Sequence, residues 1–316
     1  MKAARIHSFG PPGVIVVDEL PRPRPKAREL LVRVGAAGVG PWDALIREGR
    51  SVVSVPLPLI PGSDLSGVVE EVGTEVSQFK IGDEVYGVTN SDFCGAYTEL
   101  AIVNASMVAR KPASLSHIEA ASVPVVAVTA WQMLFEYAQA KAGQTVLIHG
   151  SAGNVGAYTV QMAAQAHLHV IATAAGGDMA YVQSLGAEQV LDYKTTHFDE
   201  TLSGVDIVID TVGGAIRDRS IDVLKEGGIL VSVVSPIPKS LENGNIRTAF
   251  FLVEVTTARL RILTDLFERR KLSTQVGSVL PLAQARAAHE MLGGAPHKRG
   301  KIVLVPDQTH PIDAGS

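Results

Sequence analysis

Thr145-Val-Leu-Ile-His-Gly-Ser-Ala-Gly-Asn-Val-Gly156 decides the fold of this 316-residue chain. A β-rich run over residues 145–149 breaks at Gly150. Gly153 and Gly156 then open an amphipathic stretch that ends near Ala166. Glycines three apart at a strand-to-helix turn let backbone approach a bulky anion, and the following helix turns its unpaired N–H groups and positive dipole end toward it. That is the geometry of a pyrophosphate site, so the segment predicts a bound dinucleotide. The spacing is Gly-x-x-Gly-x-x-Gly rather than Gly-x-Gly-x-x-Gly, and in isolation a tight turn would explain it equally well. Its context decides between the two. Strand patterns at 169–173, 189–193, 206–210 and 228–234 alternate with helical patterns at 178–185 and 216–225. Apolar strands alternating with helices predict an α/β domain with a doubly wound parallel sheet.

The length predicts two domains. Apolar residues at 46% and charged residues at 19% describe a buried, folded chain. A net charge of −4 gives no electrostatic reason to expect nucleic acid or an acidic membrane surface. The basic run Arg269-Arg270-Lys271 is short and reads as a solvated helix end. With Cys94 as the single cysteine, neither an intramolecular disulfide nor a cysteine-rich zinc lobe can form. No stretch approaches membrane-spanning length, and a cytoplasmic enzyme is expected.

Working outward from the glycine motif, the first part of the chain is β-rich. Short runs at 14–19, 30–36, 65–72, 84–88 and 96–103 are separated by Pro and Gly, with a stiff Pro21-Arg-Pro-Arg-Pro25 connector. Residues 118–138 turn helical and link the domains. The expected division is residues 1–122, a dinucleotide-binding domain over 123–260, and a return to the first domain over 261–316. That return holds a helix at 282–292 and a final strand, Lys301-Ile-Val-Leu-Val305.

Ala37-Gly-Val-Gly-Pro-Trp-Asp43 with Arg47-Glu-Gly49, Pro61-Gly-Ser-Asp64, Gly67-Val-Val-Glu70 and Val72-Gly73 begin a longer series. It continues through Gly82-Asp-Glu-Val-Tyr-Gly87, Thr129-Ala-Trp131, the glycine motif, Leu185-Gly-Ala187, Asp192-Tyr193, residues 210–214 and Arg299-Gly-Lys-Ile-Val-Leu304. In order and spacing these resemble the zinc-independent quinone oxidoreductase (zeta-crystallin-like) branch of the medium-chain dehydrogenase/reductase superfamily. The resemblance implies a GroES-like, partly open β-barrel catalytic domain joined to a Rossmann domain, and a homodimer. A physical motive for dimerisation is the stretch 228–236, expected to end the sheet as an apolar edge, with the apolar run 250–255 beside it.

The superfamily's zinc-dependent branch carries a Cys near Pro41-Trp42 and a His in a Gly-His-Glu motif. Here the second of these stretches reads Gly62-Ser-Asp64, so no metal is expected. Without a Lewis acid an unactivated alcohol is a hard substrate, whereas a quinone or α,β-unsaturated carbonyl accepts hydride and delocalises the charge onto oxygen. The second strand of the βαβ unit runs into Thr173-Ala-Ala-Gly-Gly177 with no carboxylate at its end, which permits a 2′-phosphate and favours NADPH. Backbone N–H groups of Gly150, Ser151, Ala152, Gly153, Asn154, Val155 and Gly156 are expected on the pyrophosphate. Thr173 and Ala174 are expected near the adenosine ribose. Thr211, Val212, Val234 and Ser235 stand at the carboxyl ends of apolar strands. From the resemblance come Thr129 near the nicotinamide, Tyr193 near the adenosine ribose, and Phe251 and Val253 at the nicotinamide carboxamide, while Arg299 or Lys298 could add positive charge. Trp42, Asp43, Ser63, Tyr86 and Phe93 are the candidate substrate contacts. No general acid or base is assignable; the family frequently has Asn where Gly40 stands. The leading reading is an NADPH-dependent quinone or enone/alkenal reductase. The alternative is a catalytically weak NADPH-binding redox sensor or regulator.

Overall fold

The computed structural model describes residues 1–241 and 244–306. In chain order its strands are β1 (Lys2–Ile6), β2 (Ile15–Glu19), β3 (Glu29–Val39), β4 (Asp64–Val72), β5 (Glu84–Val88), β6 (Leu100–Asn104), β7 (Val108–Arg110), β8 (Thr145–His149), β9 (His169–Ala174), β10 (Gln189–Asp192), β11 (Val205–Asp210), β12 (Leu224–Ser232), β13 (Arg247–Phe250), β14 (Val276–Pro281) and β15 (Lys301–Val305). The α-helices are α1 (Pro41–Arg47), α2 (His117–Ala121), α3 (Pro124–Trp131), α4 (Asn154–Gln165), α5 (Met179–Ser184), α6 (Phe198–Thr201), α7 (Gly214–Arg219), α8 (Thr257–Glu268) and α9 (Ala285–Leu292). None of the described helices is long and apolar enough to cross a membrane.

The chain divides into two compact units. Among the described residues the first holds 1–125, 255–268 and 273–306; the second holds 126–241, 244–254 and 269–272. Helix α8 therefore belongs to the first unit, and the chain changes unit near Val255 rather than at residue 260.

In the first unit β3 is the organising strand. It pairs antiparallel with β4, β6 and β15, and the sheet order is β14-β15-β3-β4-β5-β7. Two register shifts between β3 and β4 bend this strand enough for a curled, GroES-like sheet. Leu30, Val32, Leu65, Val85 and Val103 fill its interior. The strand expected at 96–103 starts only at Leu100. Ala96 and Tyr97 instead donate their N–H groups to the carbonyls of Gly62 and Pro61.

The second unit is a six-stranded, all-parallel sheet in the order β10-β9-β8-β11-β12-β13. This is the Rossmann order, with the strand order reversing beside β8. Central strand β8 buries Val146, Leu147 and Ile148 in succession because both faces are covered, and ends on the buried His149. Helix α4 stops at His167, which takes a left-handed φ of 58°, and the Leu168 N–H caps the Ala163 carbonyl. Residues 216–225 were expected to be one helix, but α7 ends at Arg219 and β12 begins at Leu224. The expected free edge at 228–236 is corrected as well. Strand β13 pairs with β12 there, so β13 and β10 are the two edges.

Candidate functional site

The carboxyl-terminal ends of β8, β9 and β11 meet around the glycine turn of the second unit. Gly150 leaves β8 with φ 72°, a region L-residues avoid, and a Cβ there would lie 2.3 Å from the Thr211 hydroxyl. Thr211 in turn donates its hydroxyl to the His149 carbonyl at 2.7 Å. A Cβ on Gly156 would come within 2.2 Å of the Gly150 carbonyl oxygen, so this glycine is needed for helix-to-strand packing. Gly153 is the N-cap of α4 and supplies no side-chain cap; the first intrahelical bond runs from the Ala157 N–H to the Gly153 carbonyl. The N–H groups of Asn154, Val155 and Gly156 therefore point out of the helix end with no intrahelical acceptor, as an anion site requires. Ser151 faces inward, its hydroxyl on the Ile148 carbonyl and its N–H on the Thr173 carbonyl. Two of the expected donors are corrected, since the Gly153 N–H is spent on the Gly150 carbonyl at 2.9 Å as the Ser151 N–H is on Thr173; the N–H groups of 154–156 fit a dinucleotide pyrophosphate.

Strand register extends the site. Asp210, Ser232 and Phe250 are aligned across β11, β12 and β13. Two residues beyond each stand Val212, Val234 and Leu252, which are 48%, 47% and 52% exposed. One exposed apolar side chain thus stands beyond the end of each of three neighbouring strands, a row in strand order at the carboxyl edge of a parallel sheet, where such folds bind ligands. Behind the row, buried Asp210 accepts the N–H groups of Val212 and Gly213 at 3.0 and 2.8 Å and the Ser232 hydroxyl at 2.7 Å. Buried Arg217 holds the next loop, donating to the Ser235 hydroxyl at 2.7 Å and the Pro236 carbonyl at 3.0 Å. Sequence reasoning named Ser235 but missed Arg217 and Asp210. The Asp-Thr-Val-Gly-Gly run was a usable signal, because Asp before a glycine turn accepts local N–H groups.

At the far end of the sheet the Tyr193 N–H donates to the Ala174 carbonyl at 3.2 Å, so these two expected adenosine contacts are neighbours, with Tyr193 exposed. Thr173 is committed elsewhere. Its hydroxyl meets His149 Nδ1 at 3.0 Å, and His149 Nε2 meets the Ser220 hydroxyl at 3.0 Å. Ser220 spends its proton on the Ile216 carbonyl, so Nε2 must carry the imidazole proton and Nδ1 must accept from Thr173. Burial pushes His149 down to about 4, which keeps it neutral. One expectation needs correction: β9 ends without a carboxylate, but Asp192 of β10 reaches the same loop. A Cβ on Gly176 would lie 2.8 Å from its Oδ2. Thr129 is buried in α3, and Phe251 directly follows β13. Val253 lies two residues further along. Lys298 and Arg299 belong to the first unit, just before β15.

The candidate substrate residues in the first unit do not all face outward. Tyr86 is fully buried and donates its hydroxyl to the Leu260 carbonyl at 2.7 Å, which makes it a packing residue. Asp43 is also buried: its Oδ2 accepts the Gly40 N–H and the Tyr97 hydroxyl, each at 2.8 Å. It caps α1, and burial pushes its carboxyl up to about 7 against the pull of those donors and Lys301. Ser63 is buried directly before β4, its carbonyl accepting the Thr89 N–H at 3.1 Å. Trp42 and Phe93 are half-buried, in edge-to-face contact at 6.0 Å, and Phe93 takes a left-handed φ of 54°. Cys94 is half-buried and burial pushes its thiol up to about 11, away from reactivity.

Against this geometry the comparisons with known proteins are specific. Residues 26–113 match the alcohol dehydrogenase GroES-like domain family, and residues 185–304 match a family described as zinc-binding dehydrogenase. The chain is 30% identical to the quinone oxidoreductase of Mus musculus, over 96% of this chain and 98% of that protein. The chain belongs to the quinone oxidoreductase family of medium-chain dehydrogenases/reductases. It is an oxidoreductase. Its fold matches the quinone oxidoreductase structure from Coxiella burnetii with a TM-score of 0.89 at 34% identity, covering 96% and 99% of the two chains. It also matches that of Escherichia coli quinone oxidoreductase complexed with NADPH, with a TM-score of 0.87 at 26% identity, covering 97% and 100%.

The zinc named in the second family's description finds no fitting donor set among the described residues. Among the described residues no three His, Cys, Asp or Glu side chains cluster as ligands. Asp64 accepts Lys301 Nζ at 2.8 Å on Oδ2 and the Val125 N–H at 3.0 Å on Oδ1. Both oxygens are occupied, and a buried ammonium beside them opposes a divalent cation.

Proposed function

We propose that the protein is an NADPH-dependent reductase that delivers a hydride to a quinone or an α,β-unsaturated carbonyl (enone or alkenal) without a metal. The observation carrying this reading is the glycine turn of α4 flanked by the exposed row Val212, Val234 and Leu252. One end suits a pyrophosphate, and the row suits a flat, largely apolar ring. Bound there, a reduced nicotinamide supplies the hydride. The chain supplies fixed geometry: the amides of α4 hold the anionic centre, Asp210 sets the turn at 212–213, and Arg217 sets the loop at 235–236. A preorganised frame of this kind is what hydride delivery to a conjugated acceptor needs from a protein. Trp42 and Phe93 offer an aromatic pair suited to a planar acceptor. Ala174 at the end of β9 supports NADPH over NADH, although Asp192 lessens the margin. The reading includes a cytoplasmic homodimer, with β13 as the sheet edge available for pairing. Stopped-flow oxidation of NADPH against quinones, enones and alkenals tests the activity. Binding of NADPH without turnover of any acceptor would replace this reading with that of a redox sensor.

A further inference from the structure

We propose that the π-helical turn at Gln132–Tyr137 is a two-point clamp for the strap 251–254, with Gln132 and Tyr137 as positioning residues for the nicotinamide end of the site. The inference rests on the cofactor reading above and adds to it residues that neither the glycine motif nor the strand ends contain.

Strand β13 is a four-residue edge strand, and the chain beyond it enters no helix or strand until α8. A strap of that kind has no ladder to hold it. Two side chains do so instead. The Phe251 ring stacks on the Tyr137 ring with centroids 4.1 Å apart and planes 13° from parallel. Three residues on, the Glu254 N–H donates to Gln132 Oε1 at 3.0 Å. Gln132 is buried, and its Nε2 donates to Glu136 Oε2 at 3.1 Å, which fixes the amide orientation that offers Oε1 to the strap. Between the two pinned points Leu252 is left 52% exposed, as Val212 and Val234 are beyond the ends of their own strands.

The helix type makes the clamp work. Residues five apart in an α-helix are separated by roughly 140° around the axis and cannot grip one short segment. In an i→i+5 ladder, residues five apart stand one above the other, as i and i+4 do in an α-helix. The Ala138 N–H to Met133 carbonyl bond, at 3.0 Å, is such an i→i+5 contact. Gln132 and Tyr137 are the first and last residues of this stretch, and both reach the same strap. Single π-turns inside helices are costly and cluster at functional places. Here the turn serves the segment that ends the apolar row.

The test uses the full chain with three variants, Tyr137→Leu, Tyr137→Phe and Gln132→Met. In protein without cofactor, amide exchange at Glu254 should rise on the order of 10-fold in Tyr137→Leu and Gln132→Met as the strap loosens. With NADPH and a quinone, their single-turnover hydride-transfer rate should fall about 10- to 100-fold, the scale of a misplacement near 1 Å. The NADPH dissociation constant should change far less, because the glycine turn is untouched. Tyr137→Phe keeps the ring and should keep both exchange and rate. Unchanged exchange or unchanged hydride transfer in both disruptive variants would overturn the clamp, as would equal losses in Tyr137→Phe and Tyr137→Leu. Failure of the unmutated protein to bind NADPH would remove the cofactor reading itself, and the clamp's role with it.

Discussion

Substituting Gly153 separates the ligand-binding use of glycine from its folding use. At this position φ is −76° and ψ 168°, an extended conformation in which valine is at ease. The nearest atom to an added Cβ is the Gly150 carbonyl oxygen at 3.1 Å, a contact relieved by a few tenths of an ångström. Backbone restriction therefore plays no part, and Gly153→Val should cost the fold less than about 1 kcal/mol. Its methyl groups would stand at the mouth of α4, where the amides of Asn154, Val155 and Gly156 point out of the helix end. Losing two charge-assisted hydrogen bonds at about 1.5–3 kcal/mol each removes roughly 3–6 kcal/mol, a 100-fold or greater rise in the dissociation constant. Gly156→Ala is the contrast. Its Cβ would meet three backbone atoms at 2.2, 2.7 and 2.8 Å, none of which can swing away, so the turn itself should be lost. Calorimetric titration with NADPH, paired with a thermal melt of each variant, reads both effects. A folded Gly153→Val protein with unchanged affinity would show that the helix end does not hold the cofactor.

Further expectations follow from the same geometry. Ala174→Asp should weaken NADPH binding and spare NADH, because it sets a charge beside the 2′-phosphate; calorimetric titration with both cofactors checks this, and equal losses would refute it. Lys301→Met should destabilise the first unit by about 3–5 kcal/mol, since it leaves the Asp64 carboxylate buried without its ammonium; denaturant unfolding measures it. For His149 the folded pKa of about 4 lies below the ordinary 6.5, so the unfolded chain binds more protons between these values and stability falls as pH drops from 6.5 toward 4. His149→Gln should remove up to about 1.4 kcal/mol per pH unit of that loss, seen as a flatter stability curve over this window. Light scattering at micromolar concentration should give twice the 33.3 kDa of one chain, and a mass of 33.3 kDa unchanged on concentration would exclude a stable dimer.

The glycine motif and strands β8 and β15 were legible because each carries its information locally: a fixed spacing, an apolar run, a turn at each end. Strand β13 was not. Arg-Thr-Ala-Phe has no alternating pattern, and it becomes a strand only because β12 offers an open edge. Helix α7 was read too long because Ile221 and Val223 continue an apolar period, although they are buried beyond the helix end. Asp43 and Tyr86 were placed on the substrate because polar side chains near a family motif suggest a site. Their partners, Tyr97 and the Leu260 carbonyl, lie 54 and 174 residues away in sequence, and only the folded chain shows both side chains turned inward. The π-turn escaped for a related reason, since its residues are ordinary helix formers and its contacts are with a strap more than a hundred residues on.

The central claim is metal-free hydride transfer from NADPH to a conjugated acceptor. Single-turnover stopped-flow on chelator-dialysed protein, with NADPH or NADH against quinones and enones, tests it most directly. The account predicts rapid oxidation of NADPH, slower oxidation of NADH at matched concentration, and no response to added zinc. Turnover that requires zinc, or bound NADPH that no acceptor oxidises, would contradict it.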